Sequence, residues 1–236
     1  MIPRIAVVVP ARDEADRIDA CLSSIAVAVA EAGLAETVDL IVVADGCLDD
    51  TAERARRHPG VTVLETPGLN VGGARAAGAA LALSRGATWL ANTDADSTVP
   101  PNWLVAQLRL ANAGAEVIIG TVQPRFDELT ADEIEWWHTT HDHGQSLGNI
   151  HGANLGLTAA AYRRAGGYLP LPEHEDTDLV RRLRASGANV VSSDAARVET
   201  SGRHVGRTPG GYARYLREDL PRMAAVNPVT GGSRRE

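Results

Sequence analysis

The chain has 236 residues, 44% of them hydrophobic but only 4% aromatic, and a formal net charge of −7. The length fits one large α/β domain or two small ones, with a core of Val, Leu, Ile and Ala, and the acidic balance argues against a general nucleic-acid binder, which needs a basic face. Cys21 and Cys47, the two cysteines, support neither a disulfide framework nor a zinc site, so a reducing cytoplasm is the expected compartment.

Strands and helices alternate through the first half. Arg4 to Val9 reads as a buried strand ended by Pro10, too short for a signal peptide or a membrane span. Ala15 to Ala32 is an Ala-rich helix that stops at Gly33, with Cys21 as a small core residue. Val38 to Ala44 is a second strand. Asp50 and Glu53 form a capping-box pattern for a helix to about His58. Val61 to Leu64 is a third strand, Gly72 to Arg85 a helix of small residues, and Ala87 to Asn92 a fourth strand. This rhythm predicts a mostly parallel sheet with helices on both faces.

The second half is less regular. Pro101 to Asn112 reads as a helix and Glu116 to Val122 as a strand. Thr130 and Glu133 make a second capping-box pattern, opening a helix that carries Trp136 and Trp137. Gly152 to Leu157 reads as a strand, Ala159 to Ala165 as a short helix, and Asp176 to Ser186 as an amphipathic helix. No repeat or linker divides the chain, which predicts one compact domain. The tail, 230–236, reads as disordered.

In such sheets ligands bind beyond the carboxyl ends of the strands. Pro10 to Glu14, Asp45 to Asp50, and Asp94 to Asp96 all fall there. Residues i and i+2 of an extended chain point the same way, so Asp94 and Asp96 are expected to share one site. Two hard oxygen ligands at that spacing suit Mg²⁺ or Mn²⁺ carrying a phosphorylated substrate. Asp45, at a strand end, can accept a hydrogen bond from a base N–H or a ribose hydroxyl. Gly72, Gly73 and Arg75 open a helix whose N-terminus favours phosphate; the same small residues also suit close packing on a sheet. Arg75 is placed to meet a diphosphate or Asp94. The acids Glu173, Glu175, Asp176 and Asp178 repel one another, which is costly unless a cation or a proton transfer uses them. His204, in a basic loop with Arg203 and Arg207, can reach a diphosphate or the metal. Trp137 can stack on a sugar or lipid, or fill a helix face.

Taken in order, these segments resemble family 2 glycosyltransferases of the GT-A fold, over roughly residues 4 to 215. Val7 to Glu14 resembles that family's opening strand and P-A-x-N-E turn, with Asp13 where Asn is usual. Asp45 to Thr51 resembles D-D-G-S-x-D-x-T, with Ala44 for the first Asp and Cys47 for Ser. Gly72 to Gly78 resembles the G-K-x-x-A-x-N-x-G helix start. Asp94-Ala95-Asp96 resembles the D-x-D metal motif. Gly152-Ala153-Asn154 with Gly166-Gly167-Tyr168 is similar to G-x-N…G-G-[FY], and Glu175 to Leu179 to E-D-x-D-L.

The resemblance implies a GT-A, Rossmann-like α/β sheet, with a nucleotide-sugar half at 1–97 and an acceptor and catalytic half at 98–229. It implies a metal-dependent transfer, with inversion, from a nucleoside-diphosphate sugar, UDP-sugar favoured, to an acceptor hydroxyl. Pro10, Ala11, Arg12, Glu14, Asp45, Gly73, Arg75, Asp94 and Ala95 would bind the donor. Asp96 and His204 would hold Mg²⁺ or Mn²⁺, and Asp176 would be the base. Asn154, Glu175 and Trp137 would face a small-molecule or lipid-linked acceptor. A homodimer is allowed, and the lack of flanking membrane helices speaks against a processive polysaccharide synthase. A retaining transferase of the same fold would need no base at Asp176. A sugar-phosphate nucleotidyltransferase would show a basic Gly-rich loop where Pro10 to Glu14 stands. A non-catalytic nucleotide-sugar binder would not need the acids at 94, 96 and 176. A dinucleotide-dependent dehydrogenase would show GxGxxG after the first strand.

Overall fold

A computed structural model describes residues 4–141, 149–206 and 210–222. The tail 230–236 and Arg207 lie outside these described residues. The apolar runs form strands β1 (Ile5–Ala11), β2 (Val38–Asp45), β3 (Val61–Thr66), β4 (Trp89–Asn92), β5 (Val117–Pro124), β6 (Leu155–Thr158) and β7 (Val190–Thr200). They make one seven-stranded sheet in the order β3-β2-β1-β4-β6-β5-β7. β6 runs antiparallel to β4 and β5, and every other pairing is parallel. The sheet is therefore mixed and mostly parallel, as expected.

The helices are α1 (Ile18–Glu31), α2 (Thr51–Arg56), α3 (Val71–Ser84), α4 (Trp103–Asn112), α5 (Ala131–Thr140), α6 (Ala159–Arg164), α7 (Glu175–Ala185) and α8 (Tyr212–Arg214). One face of the sheet packs against α1, α2 and α4 through Ile18, Leu22, Ile25, Ala55, Trp103 and Leu104. The other packs against α3, α6 and α7 through Ala74, Ala79, Ala161, Leu179 and Leu183. Covered on both faces, β1 has a continuous apolar sequence rather than an alternating one. Small residues let α3 lie close to the sheet. A Cβ on Gly78 would come within 2.5 Å of Val8 and 2.9 Å of Val43. Cys21 is buried in the core, as predicted. Among the described residues no helix is long and apolar enough to cross a membrane.

Two local expectations change. The Thr130–Glu133 capping box forms as read, but Asp50 makes no side-chain cap on α2. Asp49 does that work: its carboxylate accepts from Thr51 N at 2.9 Å and from Ala15 N at 3.0 Å, tying the β1 and β2 loops together. The edge strand β7 has no counterpart in the sequence reading. Its Val-Val-Ser-Ser-Asp-Ala-Ala-Arg-Val-Glu-Thr run has no regular alternation, and most of it is only half-buried.

Candidate active site

The carboxyl ends of β1, β2 and β4 open onto a cavity of about 370 Å³. Pro10, Ala11, Arg12 and Glu14 enter it from β1, Asp45 from β2, Asp94, Ala95 and Asp96 from beyond β4, and Arg203 from beyond β7. Asp45 is buried, and its Oδ1 accepts from Thr66 Oγ1 and Leu69 N, both at 2.6 Å. The chain is not extended through Asp94 to Asp96; it turns there, with Ser97 N donating to Asp94 O at 3.1 Å. Both carboxylates line the cavity even so. A backbone bridge between Thr98 and Glu199 at 2.7 and 3.0 Å, and a 2.8 Å bond from Ser97 Oγ to Thr200 Oγ1, pin this turn to the end of β7.

Desolvation makes the acid pair electrostatically costly. Burial, then the charge of Asp94, pushes the Asp96 carboxyl up to about 6, against the pull of Arg203. Burial also raises the Asp94 carboxyl, opposed chiefly by Arg75. Each acid has an arginine partner. Arg75 Nη2 donates to Asp94 Oδ1, and Arg203 Nη2 lies 2.9 Å from Asp96 Oδ2.

A second cavity, of about 500 Å³, adjoins the first and shares Val71, Asp94, Thr200 and Tyr212 with it. Glu173, Glu175, Asp176, His141 and His151 line it. Asp176 lies in the first turn of α7, just after His174, whose φ of 59° is left-handed. Its Oδ2 accepts from Gly152 N and its Oδ1 from Thr177 N, both at 2.6 Å. These bonds fix the carboxylate at the cavity wall.

Arg75 occupies the seam between the cavities. Its guanidinium is fully buried, with Nε donating to Glu175 Oε1 at 3.0 Å and Nη2 to Asp94. Burial opposes its charge, but Asp94, Tyr168 and Glu175 outweigh burial and keep it protonated. Gly152 makes room, since a Cβ there would lie 2.5 Å from Nη2.

The sequence profile of glycosyl transferase family 2 matches residues 6–166. The chain belongs to this family. The glycosyltransferase also resembles solved GT-A structures. The mannosyltransferase PcManGT from Pyrobaculum calidifontis, in complex with GDP-Man and Mn²⁺, matches at TM-score 0.66 and 19% identity, over 98% of this chain and 76% of that one. S. aureus TarS 1-349, in complex with UDP-GlcNAc, matches at TM-score 0.64 and 16% identity, over 96% and 67% of the two chains. GalNAc-T7, with UDP, GalNAc and Mn²⁺, matches at TM-score 0.62 and 12% identity, over 84% and 44%. No curated protein matches the sequence significantly.

The family 2 site gathers most of the residues read from the sequence, but Asn154, Gly73 and His204 line neither cavity, and Trp137 and Arg75 line only the second. Asn154 does not face the second cavity. Its Oδ1 accepts from Trp103 Nε1 at 2.9 Å, and its Nδ2 donates to Thr121 O and Ala196 O at 2.8 Å, so the amide is used to join α4, β5 and β7. Gly73 does not line the first cavity; its N donates to Asn70 Oδ1 at 2.8 Å in the cap of α3. His204 lines neither cavity; its Nε2 is 3.8 Å from Glu133 Oε1. Trp137 borders the second cavity but is no open stacking platform. His141 is stacked on it at 4.5 Å, the Arg197 guanidinium lies 5.3 Å from its ring centre, and the side chain is buried. Arg75 lines the second cavity, and of the two partners expected for it, a diphosphate or Asp94, it meets Asp94.

The structure adds residues that the sequence did not single out. Thr200 and Tyr212 line both cavities; the first ends the unread strand β7, and the second follows Gly210-Gly211 with no other local signal. Asp13, Cys47 and Asp49 form a closely spaced trio in the loops after β1 and β2. Asp13 Oδ1 accepts from Leu48 N, and Asp49 is spent on the α2 cap, so the trio reads as a loop brace.

The residues present fit a divalent cation. Asp94 and Asp96 offer hard oxygen donors in one cavity, and burial makes their shared negative charge a cost that a cation relieves.

Proposed function

We propose that this glycosyltransferase moves a sugar from a nucleoside-diphosphate sugar to an acceptor hydroxyl with inversion, at a metal-assisted site. The observation that carries the reading is the pair of adjoining cavities. One holds Asp45 and the Asp94–Asp96 pair, the other holds Asp176, and Asp94 lines both. A donor in the first and an acceptor in the second would meet at that shared wall.

Asp45 would bind the base or ribose, since its two protein contacts both fall on Oδ1. Pro10 to Glu14 would line the same pocket. Asp96, with Asp94 beside it, would hold Mg²⁺ or Mn²⁺, which when bound neutralises charge on the diphosphate leaving group. Asp176 would take the proton of the acceptor hydroxyl. The acceptor oxygen forms its bond to the anomeric carbon as the bond to the diphosphate breaks, and the nucleoside diphosphate leaves with the electron pair. Arg75 would keep Asp94 and Glu175 in register across the seam, acting as a positioning residue. PcManGT holds GDP-Man and TarS holds UDP-GlcNAc in their structures. UDP-sugars are our first choice of donor, and GDP-sugars the second.

Asp176→Asn tests the inverting reading. The variant should bind donor with wild-type affinity while turnover falls by about 10²-fold or more, the usual weight of a positioned base. Near-normal turnover, or product retaining the donor's anomeric configuration by NMR, would favour the retaining mechanism instead.

A further inference from the structure

The two arginines at the acid pair are held differently. Arg75 is locked inside the fold, between α3 and the N-terminus of α7. Arg203 lies on the chain beyond β7, and its side chain is 25% exposed. Its Nη2 is 2.9 Å from Asp96 Oδ2 and 2.8 Å from Glu14 Oε1, and its Nη1 is 3.1 Å from Glu14 Oε2. One guanidinium thus bridges two carboxylates that line the donor cavity, the buried Glu14 and the half-buried Asp96, the second being the one assigned to the cation. The main chain on either side is tethered. Ser201 Oγ donates to Glu128 Oε2 at 3.0 Å, and Arg217 Nη1 donates to His204 O at 3.0 Å. A swing of the side chain is enough to release Asp96.

We propose that Arg203 is a latch on the cation site: it occupies Asp96 and Glu14 in the metal-free enzyme and yields Asp96 when a divalent cation binds. The proposal rests on the cation reading of Asp94 and Asp96 above. Without a positive partner, Glu14, Asp94 and Asp96 would repel one another in a desolvated wall, and the guanidinium removes that cost while the cavity is empty. A cation arriving at Asp96 must break the Arg203 pair, so its apparent affinity falls by the fraction of molecules that are unlatched. Glu14 keeps the displaced guanidinium beside the cavity, where a diphosphate offers it new oxygen partners. Cation and diphosphate therefore favour each other's binding, with Arg203 as the group they share.

The test is calorimetric titration of Mn²⁺ alone into wild type, Arg203→Gln and Arg203→Lys, each checked for a folded circular dichroism spectrum. Arg203→Gln should bind Mn²⁺ about tenfold more tightly or better, as expected when a mostly closed state is abolished. Arg203→Lys should gain less, because an ammonium keeps the charge but cannot fork across two carboxylates; it also carries the test if the glutamine variant fails to fold. Adding Asp96→Asn to either variant should erase the gain. Unchanged or weaker Mn²⁺ affinity in both variants would overturn the latch and leave the cation site standing. No Mn²⁺ binding by any of the proteins would overturn the latch and the cation site together.

Discussion

Asn154 shows how one side chain can resemble a ligand contact and serve the fold. It lies two residues after Gly152, whose N donates to Asp176 at the wall of the second cavity, yet its amide faces inward. Trp103, Thr121 and Ala196 take all the bonds described for it. Asn154→Ala would leave an indole N–H and two backbone carbonyls unpaired in the core. The expected loss is about 2–4 kcal/mol, at roughly 1–3 kcal/mol for each buried group left without a partner and allowing for relaxation. Urea denaturation measures it, and the KM for the acceptor should stay within about twofold. A large KM change with little loss of stability would return Asn154 to the acceptor site. Asp13 is the opposite case. It stands where the family pattern has Asn, and its φ is 49°. Asn and Asp are the residues that tolerate that left-handed region best after glycine, so the departure keeps the turn.

Among the elements, α5 is the one whose start was legible in detail. Thr130 and Glu133 close both bonds of the capping box, and the helix delivers Trp136 and Trp137 into a cluster with Leu216 and Leu220. Thr130→Ala should lower stability by about 1 kcal/mol, the usual cost of losing such a cap. A shift of the urea midpoint with unchanged slope would register it; no shift would mean that the Trp cluster alone holds α5. Strand β7 was illegible for a physical reason. As an edge strand it has a neighbouring strand on one side and a single bridge to Thr98 on the other, and Val198 is its one hydrophobic residue that is fully buried. Its sequence is therefore free of the alternation that marks half-buried strands. That Asp49 rather than Asp50 braces the start of α2 was decided by the partner loop. Asp49 reaches Ala15 N across from β1, and no local pattern encodes that contact.

At the scale of the whole molecule, burial sets how stability responds to acid. Burial pushes the His151 pKa down; Asp176 pulls it back up, His141 adds to the lowering, and Tyr212 packs edge-on against its ring. Its folded pKa therefore lies below the unfolded value of about 6.5. The unfolded chain binds the proton more readily, so this contribution to stability is complete above that value and is lost as pH falls below it. Asp94, Asp96 and Glu175 are raised by burial and act in the opposite sense, so a contrast between two proteins carries the test. The midpoint of thermal unfolding should drop less between pH 7.5 and pH 5.5 in His151→Asn than in wild type, with pH values chosen to span about 6.5. Equal drops would place the acid sensitivity elsewhere.

The sequence by itself determined the α/β order, the family, and which strand ends carry the acids. The first and last follow from apolar run length, turn residues and spacing, and the family from motifs that resemble its pattern in order, all of which are local. The tertiary structure decided what each side chain meets. It turned the chain at Asp94 without separating the acid pair, drew Arg75 inward through the space left at Gly152, and set Asn154 and Trp137 into the core. It also brought Arg203 across the sheet to Asp96 and Glu14, 107 and 189 residues away in the chain. Contacts over such distances depend on strand order and on the charge balance of a buried wall, and neither is written in any local stretch of the chain.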